Sequence, residues 1–418
     1  MNSATISILI VVVVGALFIW GKFPNGWVAL AGAMMCAMLG YIDKPAAFSG
    51  LASTNPVLLA SMMVVGGACF HSGLARRLAE FFLKICGRTE RGIILALMLV
   101  TGLFSVICNN TGTLVTFIPI MMSICAEAKV SPSKVILPVA FATCLGGNVT
   151  LISTGTFSAV SGVLEELGYE GFGFWDPAYV GIPLFLVSML FFVTVGLKFV
   201  PDRPIEEFDF SDITEAKENK NQMILTGVVI IAVVVVMMFT PKNLPLYMIS
   251  SIGAVILVFT GCISEKQAYQ AISWPTVFLC GGMTAVSSAL SKTGGAQMIA
   301  DFCKNLIGEN PSKYVVIAVL FIGTSLLTNV MSNVACATMM TPIVASLSEG
   351  IGIDPVAMVM VTTIAANAAY LLPIGTPPFV IAADLGKYKF SDFIKCGLPV
   401  TIFNLILVVI LTPIVYHL

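Results

Sequence analysis

The sequence predicts an all-α polytopic membrane protein built as an inverted repeat, with five transmembrane helices and one re-entrant hairpin in each half. Three observations predict it. The chain has 418 residues, 58% hydrophobic and only 10% charged, with a mean hydropathy of +0.98. A water-soluble domain of this length carries far more charge. Four apolar segments do not fit as single straight helices, and these segments match one another in pairs at a near-constant spacing.

In chain order, the N-terminus MNSATISILIVVVV has no basic residue ahead of its apolar run. It reads as a first transmembrane helix rather than a cleaved signal peptide. Apolar runs of spanning length fall near 4–21, 26–42, 53–73, 178–199, 223–240, 244–262, 275–291 and 396–417. Segments 92–126 and 314–348 are free of charge over 35 residues each. As straight helices they would reach about 50 Å, against a hydrocarbon core of about 30 Å. The first contains SVICNNTGTLVTFIPI, with Asn109, Asn110, Thr111, Gly112 and Thr113 in a row. Such short polar groups compete with a helix for backbone hydrogen bonds. In lipid, that break is tolerated only where it is buried in protein or lines a wet cavity. Both segments are therefore expected to be hairpins. Segments 135–164 and 355–383 are expected to be broken helices, interrupted by S-T-G-T and P-I-G-T-P-P. LARRLAEFFLKICG (74–87) and GAQMIADFCKNLIG (295–308) read as helices lying in the membrane interface. The one long polar stretch, 201–222, reads as a cytoplasmic linker between a first repeat (1–200) and a second (223–418).

The repeat is visible in the residues. Asn109-Asn110-Thr111 matches Ser332-Asn333-Val334 at a spacing of 223, and Ile118-Pro119-Ile120 matches Thr341-Pro342-Ile343 at the same spacing. Ile152-Ser153-Thr154 matches Ile374-Gly375-Thr376 at 222, and Gly66-Gly67 matches Gly281-Gly282 at 215. An odd number of crossings per half requires the halves to insert in opposite orientations. Charge agrees: with both termini outside, sixteen of the 21 Lys and Arg fall on the cytoplasmic side. This expectation places the chain, multi-pass, in the cell membrane.

Composition also excludes. A net charge of −1 argues against nucleic acid, which needs a basic partner surface. The 11 cysteines form no Cys-x-x-Cys pair and read as small buried hydrophobes. No nucleophile–base pair or metal cluster lies within the membrane segments, so no enzyme is expected and no cofactor. Neither hairpin nor either broken segment contains Asp, Glu, His, Lys or Arg. Proton-coupled carriers usually place a titratable group there. A half-helix ending mid-membrane instead offers carbonyls, which with Asn and Ser oxygens suit Na⁺. It also offers N–H groups, which suit an anion.

Paired hairpins tipped by Ser-Asn-Thr-like triplets, each followed by a broken helix with a Gly-Thr-Pro-Pro-like turn, resemble the divalent anion:sodium symporter family. The resemblance covers nearly the whole chain. It implies a homodimer with a fixed scaffold and a transport domain that moves as an elevator. It also implies Na⁺-coupled import of a small divalent anion, a dicarboxylate or sulfate-like. By motif position, the first sodium site resembles Ser105, Asn109 and Asn110 with the backbone at Ser153. The second resembles Thr328, Ser332 and Asn333 with the backbone at Gly375. The anion is expected between Asn110, Thr111, Thr154, Asn333, Val334, Thr376 and Pro377. Three departures bear on substrate: Asn109 stands for Ser, Val334 stands for Thr, and Gly155-Thr156-Phe157 and Phe379 replace the Pro-Pro-Asn pattern. Val334 lacks the hydroxyl of Thr111, which predicts a lopsided site. The alternatives are an anion exchanger or another ion-transporter-superfamily carrier. Exchangers of the family often carry Lys or His at a cation position, and none stands there in this chain.

Overall fold

The computed structural model describes residues 2–204, 220–239, 244–307 and 312–418. Most of the linker expected at 201–222 therefore lies outside the described residues. What is described is helical, and it falls into two sets of ten. The first set is α1 (Ser3–Trp20), α2 (Asn25–Met38), α3 (Ala46–Ser49), α4 (Thr54–His71), α5 (Leu74–Cys86), α6 (Glu90–Ser105), α7 (Asn110–Ala128), α8 (Pro132–Gly146), α9 (Gly155–Glu166) and α10 (Ala178–Thr194). The second is α11 (Lys220–Phe239), α12 (Leu246–Phe259), α13 (Glu265–Ala271), α14 (Trp274–Lys292), α15 (Gly295–Ile307), α16 (Lys313–Thr328), α17 (Asn333–Ile351), α18 (Pro355–Ala366), α19 (Pro377–Leu385) and α20 (Phe390–Val415). All four overlong segments are split where the sequence expected. Among the described residues, six helices are long and apolar enough to cross a membrane.

The two sets pack reciprocally. α2 packs on α14 as α12 packs on α4, α1 on α15 as α11 on α5, and α9 on α17 as α19 on α7. Glycine allows close approaches between the sets. A Cβ on Gly282 would lie 2.7 Å from the Ala29 carbonyl carbon, and one on Gly67 would lie 2.8 Å from the Ala271 side chain. Those are the Gly-Gly pairs of the repeat. Two runs are shorter as helices than as apolar sequence: 26–42 stops at Met38 and 244–262 stops at Phe259. The reason is local, because Gly40 (φ +76°) and Gly261 (φ +73°) turn left-handed just beyond each end. α5 and α15 begin after another matched pair, Gly73 and Gly294. The described cysteines are free, and all but Cys86 are buried.

α10 and α20 hold the broken segments in place. A Cβ on Gly181 would overlap the Asn148 carbonyl, and one on Gly397 would overlap the Tyr370 carbonyl. Each break therefore rests on a glycine in the last helix of its own half. Pro183 and Pro399 stand two residues beyond those glycines. At the polar edge, Lys134 Nζ lies 2.9 Å from Asp202 and 3.1 Å from Glu90. These partners, Asp202 foremost, hold its ammonium above the usual lysine range.

Candidate functional site

The first hairpin breaks between Ser105 and Asn110. Asn109, at φ −58° and ψ 134°, is the N-cap of α7, and its Oδ1 accepts a hydrogen bond from the Thr111 N–H at 2.9 Å. Ser105 Oγ donates to Asn110 Oδ1 at 2.7 Å. The same amide reaches the first broken helix. A Cβ on Gly147 would lie 2.7 Å from Asn110 Nδ2 and would overlap Oδ1, so glycine lets the Asn110 amide take this position. Ser153 Oγ lies 2.6 Å from the carbonyl oxygens of both Gly147 and Thr150, and Thr150 Oγ1 donates back to the Val106 carbonyl at 2.5 Å. Ser105, Asn110 and Ser153 thus meet around Gly147. Asn109 stands one residue off, with its carbonyl arm committed to the cap.

The second hairpin repeats the arrangement between Thr328 and Asn333. Thr328 Oγ1 lies 2.9 Å from Asn333 Oδ1 and 2.5 Å from the Ala366 carbonyl at the end of α18. The broken helix meets this tip through Ala366, while Gly375 packs on Ala369, 3.0 Å from its carbonyl oxygen to a Cβ built on Gly375. Ser332 is the N-cap of α17 with the same backbone angles as Asn109, but its side chain makes no cap bond. Asn329, which the sequence reading did not single out, accepts from the N–H groups of Leu371 and Leu372 at 3.0 and 3.2 Å. It anchors the second break to the second hairpin.

Both clusters gather neutral oxygens: hydroxyl, amide and carbonyl. Such ligands suit a hard cation of single charge. Among the described residues no group of His, Cys, Asp and Glu could hold a metal ion.

The half-helices α9 and α19 start beside the hairpin tips. Their N-caps, Thr154 and Thr376, are extended and neither side chain caps its helix. Unsatisfied N–H groups and the helix dipole make such ends attractive to an anion. The two ends differ in donors. α9 begins Gly155-Thr156, which keep their N–H groups, whereas α19 begins with Pro377 and Pro378, which have none. α17 brings Val334 to the first of these ends, its Cγ2 3.6 Å from a Cβ built on Gly155. Val334 also packs against Leu59, Ala159 and Cys280. α7, bearing Thr111, packs against α19.

Between the breaks lies a network that the sequence reading missed. Asn367 Nδ2 donates to Asn148 Oδ1 at 2.9 Å and lies 3.4 Å from Thr154 Oγ1. Asn148 Nδ2 donates to the Tyr370 hydroxyl at 3.2 Å. The available signal was Asn148 and Asn367, two isolated amides standing at the two breaks.

Comparison with known proteins identifies the family and the fold. The family model described as a citrate transporter, CitMHS, matches residues 16–364. The uncharacterized transporter YfbS of Escherichia coli is 20% identical, with 98% of each chain covered. A protein named sodium-dependent dicarboxylate transporter SdcS, from Staphylococcus aureus, is 27% identical over 82% of this chain and 72% of its own. Among solved structures, the Alcanivorax borkumensis YdaH transporter superposes with a TM-score of 0.66 at 13% identity, covering 100% of this chain and 98% of its own. Neisseria gonorrhoeae MtrF superposes with a TM-score of 0.62 at 14% identity, covering 99% and 95%. At those identities the structural likeness speaks for the fold.

Proposed function

This chain belongs to the citrate transporter (CitMHS) family, and from that premise we propose that it imports a small divalent anion, dicarboxylate or sulfate-like, together with Na⁺. One observation carries the reading. At two matched breaks, a cluster of neutral oxygens lies beside a helix N-terminus whose threonine cap leaves its hydroxyl unused by the helix. A cation in the cluster offsets the charge of an anion at the N-termini, which lowers the cost of bringing that anion into a low-dielectric interior.

In this reading Ser105, Asn110 and Ser153 hold one Na⁺ with the backbone around Gly147. Thr328 and Asn333 hold a second with the Ala366 carbonyl. Asn109 and Ser332 shape the tips, and Gly375 shapes the second break. The anion lies between the tips. Thr111 and Thr376 contribute hydroxyls at one end. Thr154 and the N–H groups of Gly155 and Thr156 serve the other, where Val334 supplies no donor. Asn110 and Asn333 face both ions, and Pro377 forms part of the wall. The two halves are inverted with both termini outside, and the chain works as a homodimer whose hairpins and broken helices move as one body against the rest.

Thermal stabilisation of the purified protein tests this against succinate, citrate and sulfate, with and without Na⁺. A ligand that binds only the folded state raises apparent stability by mass action. Stabilisation by at least one dianion that requires Na⁺ is expected; stabilisation by none, or equally in its absence, contradicts the reading.

A further inference from the structure

Two buried amides and a phenol join the broken helices to each other. Asn148 and Tyr370 are fully buried and Asn367 is 5% exposed. Polar groups in such surroundings are costly unless bonded, and here each is bonded across the breaks. Tyr370 belongs to the second break, Asn148 to the first, Asn367 to the second and Thr154 to the first, so the chain of hydrogen bonds crosses between them three times.

The direction of these bonds matters. Asn148 donates to Tyr370 and so turns its Oδ1 towards Asn367. Asn367 then presents its amide N–H groups to Asn148 and to Thr154. A hydroxyl has one hydrogen to give and two lone pairs to receive with. A Thr154 oxygen that accepts from Asn367 keeps its own hydrogen to donate, and its second lone pair is not spent on capping α9. The opposite end lacks this arrangement: the hydroxyl of Thr376 has the Cys144 sulfur at 3.9 Å, a weak partner.

We propose that Asn367, held by Asn148 and Tyr370, is a positioning residue that fixes the Thr154 hydroxyl as a hydrogen-bond donor to the transported anion. The inference rests on the reading of Thr154 as an anion contact. It explains how the end carrying Val334 keeps a side-chain donor, and it makes that end accept only an oxygen that receives a hydrogen bond.

The test uses the full chain, purified and reconstituted in liposomes, with Na⁺-driven uptake of labelled succinate, citrate and sulfate. Thr154→Val is expected to raise KM for the transported probe at least about ten-fold, the loss of one hydrogen bond to a charged group, and Asn367→Ala to raise it by no more than that. The double variant should raise it no further than Thr154→Val alone, because Asn367 acts through that hydroxyl. The effect of a merely structural asparagine on KM would instead multiply with that of Thr154→Val. Should Asn367→Ala fail to fold, Asn148→Leu fills the space and frees the Asn367 amide. It should raise KM in the native background and leave it unmoved in the Thr154→Val background. Multiplying effects, or an Asn367 variant with native KM beside an impaired Thr154→Val, overturn the inference. Native KM in Thr154→Val overturns the anion contact itself, and the positioning role falls with it.

Discussion

At the first hairpin tip Ser105 bonds the amide of Asn110, and at the second Thr328 bonds the amide of Asn333, across the same five-residue interval and at 2.7 and 2.9 Å. One residue to either side the likeness ends. Asn109 caps its helix and Ser332 does not; Thr111 carries a hydroxyl and Val334 a methyl packed against Leu59, Ala159 and Cys280. The starts of α9 and α19 differ in the same way, with two N–H groups on one and two prolines on the other. The atoms assigned here to the cations are thus repeated, while those assigned to the anion have diverged. A point charge can be held the same way twice. An anion with two ends need not be held alike at both, and the proposed site sets the hydroxyls of Thr111 and Thr376 at one end against the Thr154 hydroxyl and backbone N–H groups at the other.

The repeated half should be the most sensitive. Asn110→Ala and Asn333→Ala are each expected to reduce Na⁺-driven uptake at least about 100-fold, since each removes a bond to a charged group worth about 1.5–3 kcal/mol for both ions. Melting temperature would show both variants folded. If only one variant loses uptake, the two clusters are not equivalent. Gly147→Ala should come next. The new methyl displaces the Asn110 amide, and such overpacking costs about 1–3 kcal/mol, read as a Na⁺ dependence shifted about ten-fold or more. The matching position in the second half is Ala369, which already carries a methyl, so that half offers no equivalent sensitivity.

The diverged half should respond less. Val334→Thr adds a donor worth about 1.5–3 kcal/mol to a charged group, but sets part of the hydroxyl against an apolar cluster at a cost of about 1–3 kcal/mol. The expected result is a dicarboxylate-to-sulfate preference raised by less than about ten-fold. An unchanged ratio across the anions would mean that Val334 only packs. The smallest contrast concerns the caps: Asn109→Ala should lower stability by about 1 kcal/mol, and Ser332→Ala by much less, because no cap bond is lost there. Equal losses in thermal melts would erase this difference between the tips.

How much of this was legible in the sequence follows from the kind of atom involved. The breaks were legible, because Asn-Asn-Thr-Gly in a charge-free segment has few other uses, and the repeat spacing carried the reading to Ser332-Asn333. Side-chain partners five residues apart, Ser105 with Asn110 and Thr328 with Asn333, were also within reach. The Ala366 carbonyl was not, because every residue has a carbonyl and only the fold decides which one faces Thr328. Gly147 looked like one glycine among 36; its need appears only when Asn110 lies against it. Asn148, Asn367 and Tyr370 stood singly in apolar runs, where nothing local names a partner in the other half. The Gly-x-Pro pairs at 181–183 and 397–399 were a readable signal of the helices that back the breaks.

The central claim, an uncharged site that couples a divalent anion to Na⁺, is tested most directly by uptake into liposomes containing the purified protein. With an inward Na⁺ gradient and equal pH on both sides, the account predicts accumulation of succinate, citrate or sulfate that stops when Na⁺ is replaced by choline. Uptake that persists unchanged in choline and follows an imposed pH gradient would contradict it.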